Sequence, residues 1–128
     1  MRTSLKAGHW IVLVRNHNNI YYFDSYGVGV DGELEHIKRG LRYELGEDSK
    51  LLTKIIKTIP NRCEFKYNRF DFQSYHKNIN TCGKWCVVFV KCIFYGLTLK
   101  QFTSRIKALR NKYGYKFDVL ISILWDTF

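Results

Sequence analysis

Residues 81–90 read TCGKWCVVFV, and they join a polar loop over residues 74–81 to an apolar segment over residues 82–96. A helix that is apolar on every side is normally buried, so this segment predicts a central core helix that begins at Cys82. The free amides and the dipole of a helix N-terminus favour a thiolate over a thiol. Cys82 therefore occupies a position that can activate a thiol, whereas Cys86, one turn further on, is expected to pack inward.

Two apolar segments near the N-terminus predict a β-hairpin. Residues 9–15 (HWIVLVR) and 20–24 (IYYFD) flank a turn-forming cluster at residues 16–19. His9 begins the first strand and Asp24 ends the second, and such ends are neighbours in an antiparallel pair. We therefore expect the two side chains to meet at one edge of the sheet, where a carboxylate can fix the tautomer of an imidazole.

The remaining patterns predict one domain over residues 1–128 that contains both strands and helices. The apolar segment over residues 117–125 fits either a helix or a strand. In chain order the other predicted elements are a glycine-rich loop over 26–32, a helix that begins at Asp31 and ends at Gly46, a short helix over 51–56, a strand over 65–72 with an irregularity near Asn68-Arg69, and an amphipathic helix over 99–113.

The composition limits the class of protein. The longest apolar stretch, Trp85 to Tyr95, contains Lys91 and is too short to span a bilayer, so no membrane association is expected. Residues 1–7 lack the apolar core of a secretory signal, so we expect a protein that is not secreted and that stays in a reducing compartment. There the four cysteines are expected to be thiols rather than disulfides: Cys63, Cys82, Cys86 and Cys92.

An excess of cations distinguishes the chain, because 21 Lys and Arg against 11 Asp and Glu give a formal charge of +10. A surface this basic favours polyanions, of which nucleic acid is the commonest. A surface that is merely solubilising is the alternative, and the composition leaves both open. The candidate nucleic-acid contacts lie on the predicted amphipathic helix: Lys100, Arg105, Lys107, Arg110 and Lys112.

Four residues, in the order His9, Asp24, Gln73 and Cys82, form the set that a thiol hydrolase requires. The cysteine supplies the nucleophile, the histidine the base, the aspartate the group that orients the imidazole, and the glutamine a donor to the oxyanion. Gln73 ends the strand that leads into the Cys82 loop, so its amide is expected to reach the same oxyanion.

Each of these residues also has an ordinary structural role. A histidine beside a tryptophan at a strand start is usually structural, an aspartate after a strand is usually a turn residue, and a cysteine is often a small buried apolar side chain. Their joint occurrence at strand and helix ends favours the hydrolase. A zinc site is the other alternative, but its candidate ligands lack a Cys-x-x-Cys pair: His9, Cys82, Cys86 and Cys92.

The chain resembles the adenovirus-type cysteine proteases, a group that includes the proteases of ubiquitin-like proteins. The resemblance rests on residues 8–10 (GHW), 22–27 (YFDSYG), 72–74 (FQS) and 80–86 (NTCGKWC). It looks closest to the versions carried by adenovirus, virophages and Polinton (Maverick) transposons. It implies a papain-like α+β fold with helices packed on a small central mixed sheet, and peptide-bond hydrolysis by the four residues above.

The resemblance also implies substrates and partners. The expected substrates are capsid and core precursor proteins, cleaved at Gly-containing sites during maturation, in the virion and the host cell interior. The sequence itself requires no cofactor. By analogy with the adenovirus enzyme, DNA and a peptide are candidate cofactors, and Cys63 stands where the peptide would be tethered, although a surface or packing thiol is the ordinary interpretation of Cys63.

Two departures from that family keep other functions open. Only eight residues precede His9, so an N-terminal segment that builds part of the substrate cleft is expected to be missing or supplied from elsewhere. The loop from Gln73 to Cys82 is also longer than in many relatives. The alternatives are a protease of ubiquitin-like modifiers and a catalytically inactive, basic, nucleic-acid-binding virion protein.

Overall fold

A computed structural model describes residues 8–46, 50–76 and 79–127. Within these ranges the chain forms an α+β fold with three β-strands, one 3₁₀ helix and five α-helices. None of the described helices is long and apolar enough to cross a membrane. The strands are β1 (Ile11–Asn16), β2 (Asn19–Asp24) and β3 (Glu64–Tyr67), the 3₁₀ helix is Gly32–His36, and the α-helices are α1 (Arg39–Glu44), α2 (Leu51–Lys57), α3 (Cys82–Phe94), α4 (Leu99–Tyr113) and α5 (Phe117–Thr127).

Strand β2 is the central strand of a mixed sheet whose order is β1-β2-β3. It pairs antiparallel with β1, with Ile11 opposite Asp24, and parallel with β3, with Asn19 opposite Glu64. Every residue from 20 to 24 is buried, as expected for a strand that is covered on both faces. The predicted hairpin is confirmed, and its register places the start of β1 beside the end of β2.

Helix α3 is the element against which the sheet and the last two helices pack, since it contacts β1, β2, α4 and α5. Phe23 of β2 stacks on Phe89 of α3 with ring centroids 4.4 Å apart, and Phe102 of α4 meets Phe89 edge-on at 5.1 Å. Each fully buried aromatic side chain contributes about 1.5–3 kcal/mol. The prediction of a buried helix that begins at Cys82 is confirmed, and residues 117–125 lie in α5.

The helix predicted over residues 31–46 is divided into the 3₁₀ helix and α1. The break falls at Ile37, which is extended, and Lys38, whose ψ of 138° is not helical. The Asp31 carboxylate makes no capping bond to the 3₁₀ helix that follows it. It instead accepts hydrogen bonds from the backbone N–H and the hydroxyl of Thr53, in the first turn of α2, at 2.9 and 2.7 Å. The apolar side chains still converge, in a small second cluster of Leu34, Ile37, Leu41 and Leu45.

Strand β3 is shorter than the strand predicted over residues 65–72. At Asn68 the chain leaves the sheet and bends back over the end of β2, where the backbone N–H of Phe72 donates to the Ser25 carbonyl at 2.8 Å. Gly27 permits this approach, because its φ is +68° and a Cβ there would lie 2.8 Å from a backbone carbonyl oxygen of the returning chain. The irregularity in the sequence therefore marks the end of the strand.

Candidate active site

His9 and Asp24 form a buried hydrogen-bonded pair at one edge of the sheet. His9 Nε2 lies 2.7 Å from Asp24 Oδ1, and both side chains are almost fully shielded from solvent. The pairing of Ile11 with Asp24 brings the residues just before β1 next to the carboxylate. The predicted convergence of the two side chains is confirmed. Since Nε2 faces the carboxylate, Nδ1 is the ring nitrogen on the side away from Asp24.

Asn68, which directly follows β3, fixes the backbone of Asp24. Its Oδ1 accepts a hydrogen bond from the Asp24 backbone N–H at 2.9 Å, and its Nδ2 donates to the Asp24 carbonyl. Asn68 is itself buried, so its amide continues the sheet where β3 ends. The sequence indicates an irregularity at Asn68 but not its hydrogen bonds to Asp24. The only sign of them is a polar residue that interrupts a strand pattern.

Cys82 is the first residue of α3, whose first turn carries no acidic side chain. Burial raises the pKa of the Cys82 thiol, but hydrogen bonds from His9 and from the backbone of Trp10 and Gly83, together with the charge of His9, bring it below its ordinary value of 9.0. In its neutral form the thiol donates to Asn80 Oδ1 at 3.6 Å. The structure therefore places Cys82 against the His9–Asp24 pair, at a helix end that favours a thiolate.

The start of α3 is anchored to α5. The Thr81 hydroxyl donates to Asp118 Oδ1 at 2.7 Å, and the Lys84 ammonium lies 3.2 Å from the Ser122 hydroxyl. These bonds hold the turn that carries Cys82 against the C-terminal helix. Their participants are far apart in the sequence, so no local pattern indicates them.

The other thiols lie in different environments. Burial raises the pKa of Cys86 to about 12, and its sulfur lies 3.4 Å from the Trp10 carbonyl oxygen. Burial also raises the pKa of Cys92. The expected inward packing of Cys86 is confirmed.

No group of three or more His, Cys, Asp or Glu side chains within residues 8–46, 50–76 and 79–127 is placed to hold a metal ion.

Cys63 lies away from this site. It directly precedes β3, whose first residue, Glu64, pairs with Asn19 at the opposite end of β2 from Asp24. The length of β2 from Asn19 to Asp24 corresponds to roughly 16 Å at the rise of a β-strand. A group tethered to Cys63 would therefore begin at the other end of the sheet from the His9–Asp24 pair.

Gln73 is buried beside the pair, and its side-chain amide is held at both ends. Its Oε1 accepts from the Ser25 hydroxyl at 2.8 Å, and its Nε2 donates to the Tyr26 hydroxyl at 3.3 Å and to the Ile79 carbonyl at 3.4 Å. The Tyr26 ring stacks on the His9 imidazole, with centroids 4.5 Å apart. Tyr26 therefore links the Gln73 amide to the imidazole, and Ser25 and Tyr26 are further residues that the sequence did not single out.

Trp10 forms an exposed surface next to Cys82. Its indole lies over Gly83, where an added Cβ would be 3.4 Å from the nearest ring atom. The side chain of Trp10 is 66% exposed although it touches the start of α3.

The five cations predicted to contact nucleic acid are all exposed on α4, but they occupy two sides of it. Lys100 and Lys107 are about two turns apart and line one groove, whereas Arg105 and Lys112 face another side. The Lys107 ammonium lies 4.0 Å from the centroid of the Phe70 ring, and the Arg110 guanidinium lies 4.7 Å from that of Phe117.

The groove beside α4 has a volume of about 620 Å³ and runs between α4 and the chain at and after β3. Four cations line it: Lys66, Arg69, Lys100 and Lys107. Lys66 is 3.0 Å from Glu64, which offsets part of this charge. The groove thus combines four cations, one of them paired, with aromatic rings.

The chain is similar to a viral protein. It is 29% identical over 118 residues to a protein of the Sputnik virophage named "Uncharacterized protein V9". The similarity covers 91% of this chain and 65% of the virophage protein, so the chain spans less than two thirds of its relative's length. No family model matches the chain, and no solved structure matches it. The name of the relative states no activity, so the function is argued from the site.

Proposed function

We propose that the protein is a cysteine endopeptidase with a papain-like fold. The observation that carries this proposal is the position of Cys82 at the N-terminus of α3, in contact with an imidazole whose Nε2 is held by Asp24 at 2.7 Å. A nucleophile, a base within reach and a group that orients the base are the parts that acyl transfer through a thiol requires.

In the proposed reaction the Cys82 thiolate attacks the carbonyl carbon of the scissile peptide bond and gives a tetrahedral oxyanion. The His9 imidazolium transfers its Nδ1 proton to the amide nitrogen as the C–N bond breaks, which releases the amine and leaves a thioester on Cys82. Neutral His9 then takes a proton from water, whose oxygen attacks the thioester and expels the thiolate. Asp24 keeps Nε2 protonated throughout, so that Nδ1 is the reacting nitrogen.

Two donors are available for the oxyanion. The backbone N–H of Cys82 belongs to the first turn of α3, where amides have no partner within the helix. Gln73 Nε2 is the second, because both of its hydrogen bonds are long and one can be exchanged for a bond to the oxyanion. This assignment matches the role proposed for the glutamine from the sequence.

The proposed substrates are capsid or core precursor proteins of a virus or transposon, cleaved at Gly-containing sites during maturation, and the proposed location is the virion and the host cell interior. The similarity to a virophage protein supports a viral origin. A protease of ubiquitin-like modifiers would use the same site on a different partner.

Thiol-directed labelling tests the proposed activity. A peptide electrophile that ends in Gly-Gly is incubated with the wild type and with Cys82→Ala and Cys92→Ala, and the modified residue is mapped by mass spectrometry. We expect modification of Cys82 in the wild type and in Cys92→Ala, and turnover of a Gly-containing peptide only in these two. Turnover by Cys82→Ala at nearly the wild-type rate would show that the mechanism is wrong.

A second proposed function is nucleic-acid binding, which the groove beside α4 favours. Its four cations could neutralise backbone phosphates and release condensed counterions. DNA bound there would be a candidate cofactor of the protease. In a catalytically inactive virion protein, the same binding would be the main function. A peptide tethered at Cys63 is a further candidate cofactor.

Binding of a fluorescent duplex at low and moderate salt tests the groove. Lys100→Glu with Lys107→Glu reverses the charge of two groove residues, and Arg105→Glu with Lys112→Glu makes the same change in charge on another side of α4. We expect the groove pair to lose at least about tenfold more affinity, with a weaker salt dependence. Equal losses, or no binding at low salt, would show that the cations are only a solvated surface.

A further inference from the structure

Tyr26 follows the end of β2 and contacts three of the four residues assigned to catalysis. Its backbone N–H donates to Asp24 Oδ1 at 2.8 Å, its ring stacks on the His9 imidazole at 4.5 Å with the planes 23° apart, and its hydroxyl accepts from Gln73 Nε2 at 3.3 Å. We propose that Tyr26 is a positioning residue that couples the His9–Asp24 pair to Gln73, a role that rests on the proposed function.

The ring of Tyr26 acts on the charge and the orientation of the imidazole. The face of an aromatic ring attracts a cation, so the stacked ring favours the imidazolium form of His9 over the neutral form. An imidazolium beside Cys82 in turn favours the thiolate. The stacking also limits rotation of the imidazole, which keeps Nε2 on Asp24 and leaves Nδ1 toward the sulfur.

The hydroxyl of Tyr26 acts on the glutamine amide. The short bond from Ser25 to Gln73 Oε1, at 2.8 Å, fixes one end of that amide, and the longer bonds to Tyr26 and to the Ile79 carbonyl hold Nε2. A donor held by long bonds is aligned before the substrate arrives and can transfer to an oxyanion with little loss. The Tyr26 hydroxyl therefore orients Gln73 Nε2, but its long bond competes only weakly with a bond from Nε2 to the oxyanion.

The pH dependence of Cys82 alkylation also reflects the other titratable groups around the site. These groups come from every neighbouring part of the fold. They are His9 before β1, Asp24 at the end of β2, Asp71, which accepts from the Gln73 backbone N–H at 3.0 Å, Cys86 on the next turn of α3, Asp118 of α5, which bonds Thr81, and Tyr75, whose ring packs on Tyr26 at 5.2 Å.

The test measures the rate of alkylation of Cys82 by iodoacetamide as a function of pH, with the site mapped by mass spectrometry. In Tyr26→Leu, which removes the ring, we expect the apparent pKa of Cys82 to rise by about half a pH unit. In Tyr26→Phe, which keeps the ring, we expect the wild-type pH profile. Turnover of Tyr26→Phe should show kcat lowered about three- to tenfold at unchanged KM, because Gln73 is less well aligned.

Tyr22→Phe is the matched control, since it removes from β2 a hydroxyl that also makes a 3.3 Å hydrogen bond, to the Gly29 carbonyl. It should leave the alkylation profile and kcat unchanged. If Tyr26→Leu lowers Tm but leaves the alkylation profile unchanged, Tyr26 is a structural residue and the proposal is wrong. Should Tyr26→Leu not fold, Tyr26→Met gives the same test of the ring.

Alkylation needs no peptidase substrate, so the two proposals can fail separately. A wild-type protein without peptidase activity, in which Tyr26→Leu still raises the pKa of Cys82, contradicts the proposed function and supports the coupling by Tyr26. An active wild type whose alkylation profile does not change in Tyr26→Leu contradicts the coupling and leaves the endopeptidase intact.

Discussion

The first and second turns of helix α3 each carry a buried cysteine, and the two thiols have opposite properties. The pKa of Cys82 lies below 9.0, whereas burial raises that of Cys86 to about 12. Burial raises the pKa of both thiols, but at Cys82 hydrogen bonds and the charge of His9 outweigh it. Cys82 differs because it stands at the helix N-terminus, receives backbone hydrogen bonds and contacts the imidazole of His9. The low pKa of Cys82 thus depends on its position in the first turn of α3 and on its contact with His9, whereas Cys86 lies in the second turn.

The largest effect expected from this comparison is on turnover. Cys82→Ala should lower peptidase kcat by at least about 10⁴-fold, because no nucleophile remains. Cys86→Ala should retain turnover within about threefold, since its sulfur packs against the Trp10 carbonyl and takes no part in the reaction. Steady-state assays of the two purified variants check this. A large loss in Cys86→Ala, in a protein with wild-type Tm, would contradict the division of roles.

The second effect is on reactivity in the wild type. At about pH 8, a thiol with pKa near 12 is about 10⁻⁴ ionised, whereas one below 9.0 is about one tenth ionised or more. Native alkylation followed by peptide mapping should therefore label Cys82 at least about 10³ times faster than Cys86. Comparable alkylation rates for Cys82 and Cys86 would contradict the difference in pKa between the two thiols.

The third effect is on the orienting carboxylate. Asp24→Asn keeps the size of the side chain but removes the charge that holds His9 Nε2, so kcat should fall roughly 10²-fold. Asp126→Asn, an equivalent change at an exposed position of α5, is the control and should leave kcat unchanged. A wild-type rate in Asp24→Asn would show that the hydrogen bond at 2.7 Å does not serve catalysis.

The smallest effect is on stability at high pH. Because the folded protein keeps the Cys86 proton to about pH 12 while the unfolded chain loses it near 9.0, the unfolded state binds fewer protons above pH 9. The free energy of unfolding should therefore fall as pH rises, by about 1.4 kcal/mol at pH 10 from this thiol. Urea unfolding of Cys86→Ala at about pH 8 and 10 should lack this part of the decrease. An identical decrease in both proteins would contradict the burial of a neutral thiol.

The contacts of the site that follow from local sequence were predictable. The hairpin pattern placed His9 beside Asp24, and the apolar segment after residue 81 placed Cys82 at a helix N-terminus. Both elements follow from periodicity, which is local information. The same reasoning failed over residues 31–46, because the non-helical backbone at Ile37 and Lys38 divides the helix while the apolar spacing remains unchanged.

The hydrogen bonds that hold the site in place could not be predicted, because they join residues that are distant in the sequence. Asn68 bonds the backbone of Asp24, Ser25 bonds Gln73, and Thr81 bonds Asp118 of α5. A single polar residue in a loop has many ordinary roles, and only the fold shows which partner it meets. The split of the α4 cations between two sides also depends on what packs against that helix.

The central claim is that His9 activates Cys82, and the pH dependence of Cys82 alkylation in the wild type and in His9→Ala tests it most directly. In the wild type we expect an apparent pKa below 9.0. In His9→Ala we expect the apparent pKa of Cys82 to rise above that of the wild type, because the hydrogen bond and charge of His9 are lost. Both proteins should be shown to be folded by their Tm. The same alkylation profile in both folded proteins would contradict the claim.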